Sequence, residues 1–237
     1  MSKKSKKKLI GIIIAFIIAT GAWFSNESGI INDLSIPQVS EVSTKDIPQY
    51  EGNIYVEVNG NIPEFSEEDV ERLSVPGYEY YSALDSLGRA RTVEACLGEE
   101  TMPTGERSSI GMIKPSGWHT VRYDFVDGKY LYNRCHLLGW QLTGENANES
   151  NLITGTRSLN VEGMLQFEND VAEYIKETRN HVSMRVTPIY EGNNLLASGV
   201  KMEAKSVEDE GLEFNVFIFN VEDGVHIDYS TGENCAE

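Results

Sequence analysis

Between Val121 and Thr178 the apolar residues change from a period of two to a period near 3.6, which fixes the local order of elements. Val121-Arg122-Tyr123-Asp124-Phe125-Val126 alternates, Asp127-Gly128 suits a hairpin turn, and Lys129 to Leu138 continues in extended character. Residues 144–151 form a polar loop. Beyond Leu159, the positions Met164, Phe167, Val171, Ala172 and Ile175 follow helical spacing to about Thr178. The predicted order is strand, turn, strand, loop, helix: a β-β-α unit inside an α+β domain. His136 falls on the second strand.

The flanking segments read as further strands and one helix. Ile54 to Val58 alternates and runs into the turn Asn59-Gly60-Asn61. Ser66 is placed to cap a helix reaching Leu73, with Glu67, Glu68 and Asp69 at the positive end of its dipole. Glycines and a proline break residues 80–113 into short strands and loops. Extended character returns at 181–190 and 214–220, with Gly192-Asn193-Asn194 as a turn.

The N-terminus has a different composition. Five lysines lie within residues 3–8, followed by a 16-residue apolar run from Leu9 to Phe24 and no charge until Glu27. The run is shorter than the roughly 20 residues of a free spanning helix and long for a signal core, so cleaved signal peptide and signal anchor both remain open. Either way the lysines stay on the cytoplasmic side, and the body is expected on the extracellular side of the membrane or secreted. Residues 1–24 are this segment, 25–49 a tether, and 50–237 the domain. Cys96, Cys135 and Cys235 are an odd number, and no Cys-x-x-Cys spacing suggests structural zinc.

A net charge of −17 argues at first against a polyanionic partner. The charge is unevenly spread, however: residues 89–157 carry 8 basic and 8 acidic side chains. The cations of this window include Arg89, Arg91, Arg107, Lys114, Arg122, Arg134 and Arg157, and arginine suits bidentate phosphate contact. Arg134 lies two residues before His136, so a strand points both to one face. Cys135, between them, points to the other, which excludes a Cys135–His136 nucleophile–base pair. Asn151, Asn160 and Glu168 follow as polar residues near or within an otherwise apolar helix. On an α-helix Asn160 and Glu168 share a broad side, but about 12 Å of axial rise prevents both from ligating one ion tightly.

Asn133-Arg134-Cys135-His136 resembles the Asp-Arg-Gly-His motif of the DNA/RNA non-specific endonucleases, and Asn-Arg-x-His-Leu is closer still to the streptococcal-type secreted or membrane-bound DNases. The stretches 84–90, 114–118 and 151–157, with Asn160 and Gly163-Met164, resemble the same subgroup. The resemblance implies a ββα-metal, or His-Me finger, core with a central, mostly antiparallel sheet flanked by helices, preceded by an N-terminal apolar export or anchor helix. It implies that His136 activates water, that Asn160 holds one Mg²⁺, with Mn²⁺ as a substitute, and that Glu168 accepts from metal-bound waters. Asn151 then supports the loop or His136, Arg134 contacts phosphate, Arg107 or Arg157 supplies a second contact, and products carry 5′-phosphate ends. The implied partners are DNA, with RNA left open, and the membrane if the N-terminal segment is uncleaved; no obligate protein partner is evident. The motif's first Asp is Asn133 here, its Gly is Cys135, and Ala172 stands where some relatives carry arginine. The alternative is a surface DNA-binding or DNA-uptake component without catalysis.

Overall fold

A computed structural model describes residues 48–237. The expected export or anchor helix at 1–24, and the tether as far as residue 47, lie outside the described residues. Among the described residues no helix is long and apolar enough to cross a membrane.

Ten strands and three α-helices are described. In chain order they are β1 (Tyr55–Glu57), α1 (Glu67–Leu73), β2 (Glu79–Tyr81), β3 (Val93–Leu97), β4 (Tyr132–His136) and α2 (Trp140–Thr143). Then come β5 (Leu152–Thr156), a π-helical turn (Leu159–Met164) running into α3 (Leu165–Thr178), β6 (Val182–Ile189), β7 (Gly199–Ser206), β8 (Glu213–Phe219), β9 (Val225–Ile227) and β10 (Asn234–Ala236). Six strands form one antiparallel sheet in the order β1-β8-β7-β6-β3-β2, while β4-β5 and β9-β10 form two small antiparallel pairs.

Period-two alternation gives the large sheet two unlike faces. One cross-strand row reads Val93, Val186, Met202, Val216 and the next Ala95, Met184, Ala204, Phe214. These side chains join Phe167, Val171, Ala172 and Ile175 of α3, and Cys135 and Ile153 of the β4-β5 pair, in one buried core. The helix and the small pair are thereby clamped to the same sheet. Gly163 lets the π turn lie flat against it, since a Cβ there would be driven into Ile218.

The opposite face carries the row Glu94, Arg185, Glu203, Asn215, all buried. Arg185 bonds Glu203 at 3.0 Å and Asp69 at 3.0 Å, and Arg72 reaches both Asp69 at 2.6 Å and Glu94 at 3.0 Å. Asp69 and Arg72 belong to α1, so this network seats α1 on the sheet. Ser66 caps the helix as expected, in a reciprocal capping box with Asp69.

Several elements differ from the sequence reading. Val121 to Val126 is not a strand: it meets the following segment in the single bridge Arg122↔Tyr130, and the chain curls through turns that place Gly128 and Lys129 at φ of 64° and 67°. The partner of β4 is β5, paired from Tyr132↔Thr156 to His136↔Leu152, and the turns at 124–129 leave Val121 to Val126 too curled to form a ladder on the other edge. The sequence reading lacks β5, β7, β9, β10 and the short helix α2; β7 is the longest of these, although Val200, Met202 and Ala204 alternate with Lys201, Glu203 and Lys205. All three cysteines are free thiols, Cys96 and Cys135 buried and Cys235 exposed.

The network under α1 carries an acid dependence. Burial alone would raise the Asp69 carboxyl, but the Ser66 amide, Arg72 and Arg185 outweigh it and hold the group at about 2. A depressed folded value contributes stability that is complete above the unfolded value near 4 and is lost as pH falls through about 2. Asp69→Asn is expected to lower stability by about 2 kcal/mol at pH 7 and to flatten the loss between pH 4 and 2, read by urea unfolding at both ends.

Candidate active site

The β4-β5 ladder sets the site. Tyr132, Arg134 and His136 share one side of β4 and line a cleft of about 780 Å³, while Cys135 is buried in the core behind them. Beyond His136 the ladder continues by other means. The Leu137 amide donates to the Asn151 carbonyl at 2.9 Å. The Asn151 carboxamide, wholly buried, accepts from the Leu138 amide and donates to the Leu138 carbonyl, both at 2.9 Å. Asn151 therefore lies behind the cleft and braces the chain leaving His136.

His136 is buried, 6% exposed, and held at both ring nitrogens. Nε2 lies 2.9 Å from the Asn146 carbonyl oxygen, which only accepts, so Nε2 carries the proton. Nδ1 then presents its lone pair, met at 3.2 Å by a guanidinium nitrogen of Arg107. Burial lowers the pKa of the imidazole and Arg107 lowers it further, against the opposing pull of the Asn146 carbonyl. The ring is neutral at pH 7. Asn146 is tied in turn to the loop that bears Arg107, donating to the Ser108 carbonyl at 3.0 Å.

The far wall comes from the helix that follows β5. Asn160 sits in the π turn, where its carbonyl accepts from the Leu165 amide in an i→i+5 bond. This extra residue per turn removes the 100° spacing on which the α-helical placement of Asn160 and Glu168 rested. Both line the cleft with His136. Burial pushes the Glu168 carboxyl up to about 7, with Gln141 and Arg107 pulling the other way. Gly139 makes room for it: a Cβ on residue 139 would stand 2.6 Å from Glu168 Cδ.

Three of the seven arginines and lysines picked out in the sequence line the cleft: Arg107, Arg134 and Arg157. Arg134 stacks 3.9 Å from the Trp118 ring, donates from Nη2 to the Gly111 carbonyl at 2.9 Å and from Nε to the Ile113 carbonyl, so it braces the 111–118 loop. Arg157 pairs with Asp127 at 2.8 Å. Arg89 lies elsewhere, bound to Asp85 and to the carbonyls of Gly192 and Asn194. Sequence reasoning overlooked the Asn146 carbonyl, Gly139 and Trp140. A backbone carbonyl leaves no trace in residue identity, whereas a glycine set between Leu138 and Trp140 is a visible sign of close approach.

A neutral, anchored imidazole, a half-buried carboxyl and an amide around a cleft bordered by arginines make a site for hydrolysing a phosphate ester. Residues 70–208 match the sequence model of the DNA/RNA non-specific endonuclease family, and the chain belongs to that family. It is a nuclease. Among solved structures it is similar to NucA from Streptococcus agalactiae with magnesium bound, at 26% identity and TM-score 0.67, over 76% of this chain and 87% of that one. The metal-free form of NucA gives 27% identity and TM-score 0.68 over 82% and 92%. The Sda1 nuclease with bound zinc gives 26% and 0.58 over 68% and 81%. The reading as a DNA binder without catalysis gives way to this assignment.

Gly139 has φ −57° and ψ 141°, which alanine adopts freely, so Gly139→Ala changes only the space left for Glu168. Because the displaced group is the end of a flexible side chain, the melting temperature is expected to hold within a few degrees while plasmid nicking falls at least about tenfold. Full activity in Gly139→Ala would show that the position of Glu168 does not matter.

Proposed function

We propose that this chain hydrolyses phosphodiester bonds of DNA, with RNA as a second substrate, at internal positions and with little sequence preference. The observation that carries the reading is the His136 ring, with Nε2–H anchored on the Asn146 carbonyl and the Nδ1 lone pair turned to the cleft that Asn160 and Glu168 also line. Nδ1 is the base that takes the proton from the attacking water. Arg107, which rests against Nδ1, moves onto the scissile phosphate when substrate enters, freeing the lone pair and matching the negative charge with planar N–H donors. Arg157 and the remaining N–H groups of Arg134 hold neighbouring phosphates. Attack at phosphorus with departure of the 3′ oxygen leaves a 5′-phosphate end.

The cleft also suits one divalent cation. Glu168 is a carboxyl raised to about 7 by burial, which a nearby cation would relieve, and Asn160 offers a hard amide oxygen beside it. Among the described residues no group of three or more His, Cys, Asp or Glu forms a cage, so such an ion would keep most of its water. Mg²⁺, with Mn²⁺ as a substitute, fits this hydrated, oxygen-only setting, and NucA with magnesium bound supports the choice. When bound, the ion supplies charge stabilisation at the phosphate and the departing oxygen. Asn160 would hold it directly and Glu168 would orient its waters. The lysine-led apolar segment 1–24 delivers the domain to the outer side of the membrane, as an anchor or a cleaved signal.

Purified protein incubated with supercoiled plasmid is expected to nick it in Mg²⁺ or Mn²⁺ and not in EDTA. His136→Ala should lower the rate by about 10²- to 10⁴-fold without unfolding the protein. Because the folded pKa of His136 is lowered, the active neutral ring persists to pH below 6.5, so the rate should stay level through pH 7–8 and fall only on the acid side of 6.5. No nicking at any pH from 6 to 9 in either metal would overturn the reading.

A further inference from the structure

Hydrolysis at His136 does not account for the aromatic wall of the same cleft. The sequence holds three tryptophans. Trp118 and Trp140 are the two among the described residues, and both line the cleft, as does Tyr130, a ring 47% exposed. Trp118 carries the Arg134 guanidinium on its ring, and Tyr130 carries that of Arg122 at 4.8 Å. Trp140, at the first position of α2, has neither an aromatic nor a cationic partner among the described residues.

Indole and phenol rings interleaved with arginine are the chemistry that holds unpaired bases: every base has a face to stack, and stacking is tolerant of sequence. A closed duplex offers such a wall nothing, because its bases are stacked on one another and only phosphates and groove edges face outward. The electrostatics point the same way. A duplex carries one negative charge per about 1.7 Å and is held by long basic tracks, roughly twice the linear charge of one strand. Here residues 158–237 carry 16 acidic and 5 basic side chains, and three arginines line the cleft itself. Three cleft arginines are few against the charge of a duplex and better matched to one strand.

We propose that Trp140, with Trp118 and Tyr130, forms a stacking platform for unpaired bases next to His136, so that this nuclease cuts single-stranded or locally opened nucleic acid in preference to closed duplex. The proposal deepens the nuclease reading of the cleft and rests on it for the cleavage, though not for the stacking. Trp140 is the specificity-determining residue because, among the described residues, its ring has no aromatic or cationic partner to give up. The lack of sequence preference follows, since stacking selects for an accessible base face and not for a pattern of donors and acceptors.

Two measurements on the full chain test this. In the first, with EDTA present so that nothing is cut, tryptophan fluorescence is titrated with a thymine oligonucleotide and with a duplex of equal length. Quenching by the single strand at concentrations where the duplex has no effect, and a smaller quench in Trp140→Phe, is the expected result; equal quenching by both, or none, overturns the platform. In the second, one end-labelled strand is cut in Mg²⁺ or Mn²⁺ when free, annealed to its complement, or annealed with a mismatched bubble. The free strand should be cut at least about tenfold faster than the duplex, with duplex cleavage confined to the bubble. Trp140→Ala should lower that ratio by roughly five- to a hundredfold, mainly through KM, with Trp140→Phe restoring much of it. Equal rates on duplex and single strand, or a Trp140→Ala variant with an unchanged ratio, overturn the proposal and leave the nuclease reading intact. If no substrate is cut, the nuclease reading fails and the fluorescence titration alone decides the stacking.

Discussion

Everything at the catalytic face hangs on the two hydrogen bonds between the Asn151 carboxamide and the backbone of Leu138. β4 and β5 pair through five residues and end at His136↔Leu152. The carboxamide supplies the next rung, so the chain leaves His136 in a fixed direction, and both partners are fully buried where an unmade bond is costly. The chain between Leu138 and Asn151 then has a fixed start and end. Within it lie Gly139, which admits Glu168, α2, which presents Trp140, and Asn146, whose carbonyl orients the imidazole. A short pair of strands thus sets three parts of the site at once.

The pair and the helix that follows it are held on one sheet whose two faces are stabilised differently. The core face is apolar and clamps α3 and β4-β5 through burial. The other face carries a row of buried charges that seats α1, where breaking one ion pair leaves its partner uncompensated. The π turn stands between this rigid platform and the cleft. It carries Asn160 on a segment whose i→i+5 bond departs from regular helix, and the missing side chain of Gly163 lets that segment approach Ile218. The electrostatics of the cleft follow from burial: it keeps His136 neutral, raises Glu168, and makes the arginines the chief charges facing a substrate.

Much of this was legible in the sequence where local chemistry decides structure. The Ser66 cap, the strand holding His136 and the apolar face of α3 follow from capping and periodicity, and the family follows from the resemblance of Asn133-Arg134-Cys135-His136 to its motif. What escaped was set by long-range partners. The alternation of Val121 to Val126 satisfies a strand pattern, but β4 takes its partner from Leu152 to Thr156, beyond the polar loop. The π turn has no signature in residue type. The roles of Asn146 and Gly139 depend on a carbonyl and on an absent side chain, and neither is visible until His136 and Glu168 are placed in space. The charges on β7 masked a plain alternation because buried lysine and glutamate are rare; here Lys201 and Glu203 pair along β7 and Glu203 pairs across to Arg185 of β6.

Catalysis as proposed requires His136 to be a neutral imidazole protonated at Nε2, with the base lone pair on Nδ1. Nitrogen NMR of the ring in selectively ¹⁵N-histidine-labelled protein, assigned by comparison with His136→Gln, reads this tautomer directly. The expected result is a neutral ring at pH 7 with its proton on Nε2 and a pyridine-like Nδ1. A ring charged at pH 7, or neutral with the proton on Nδ1, would contradict it.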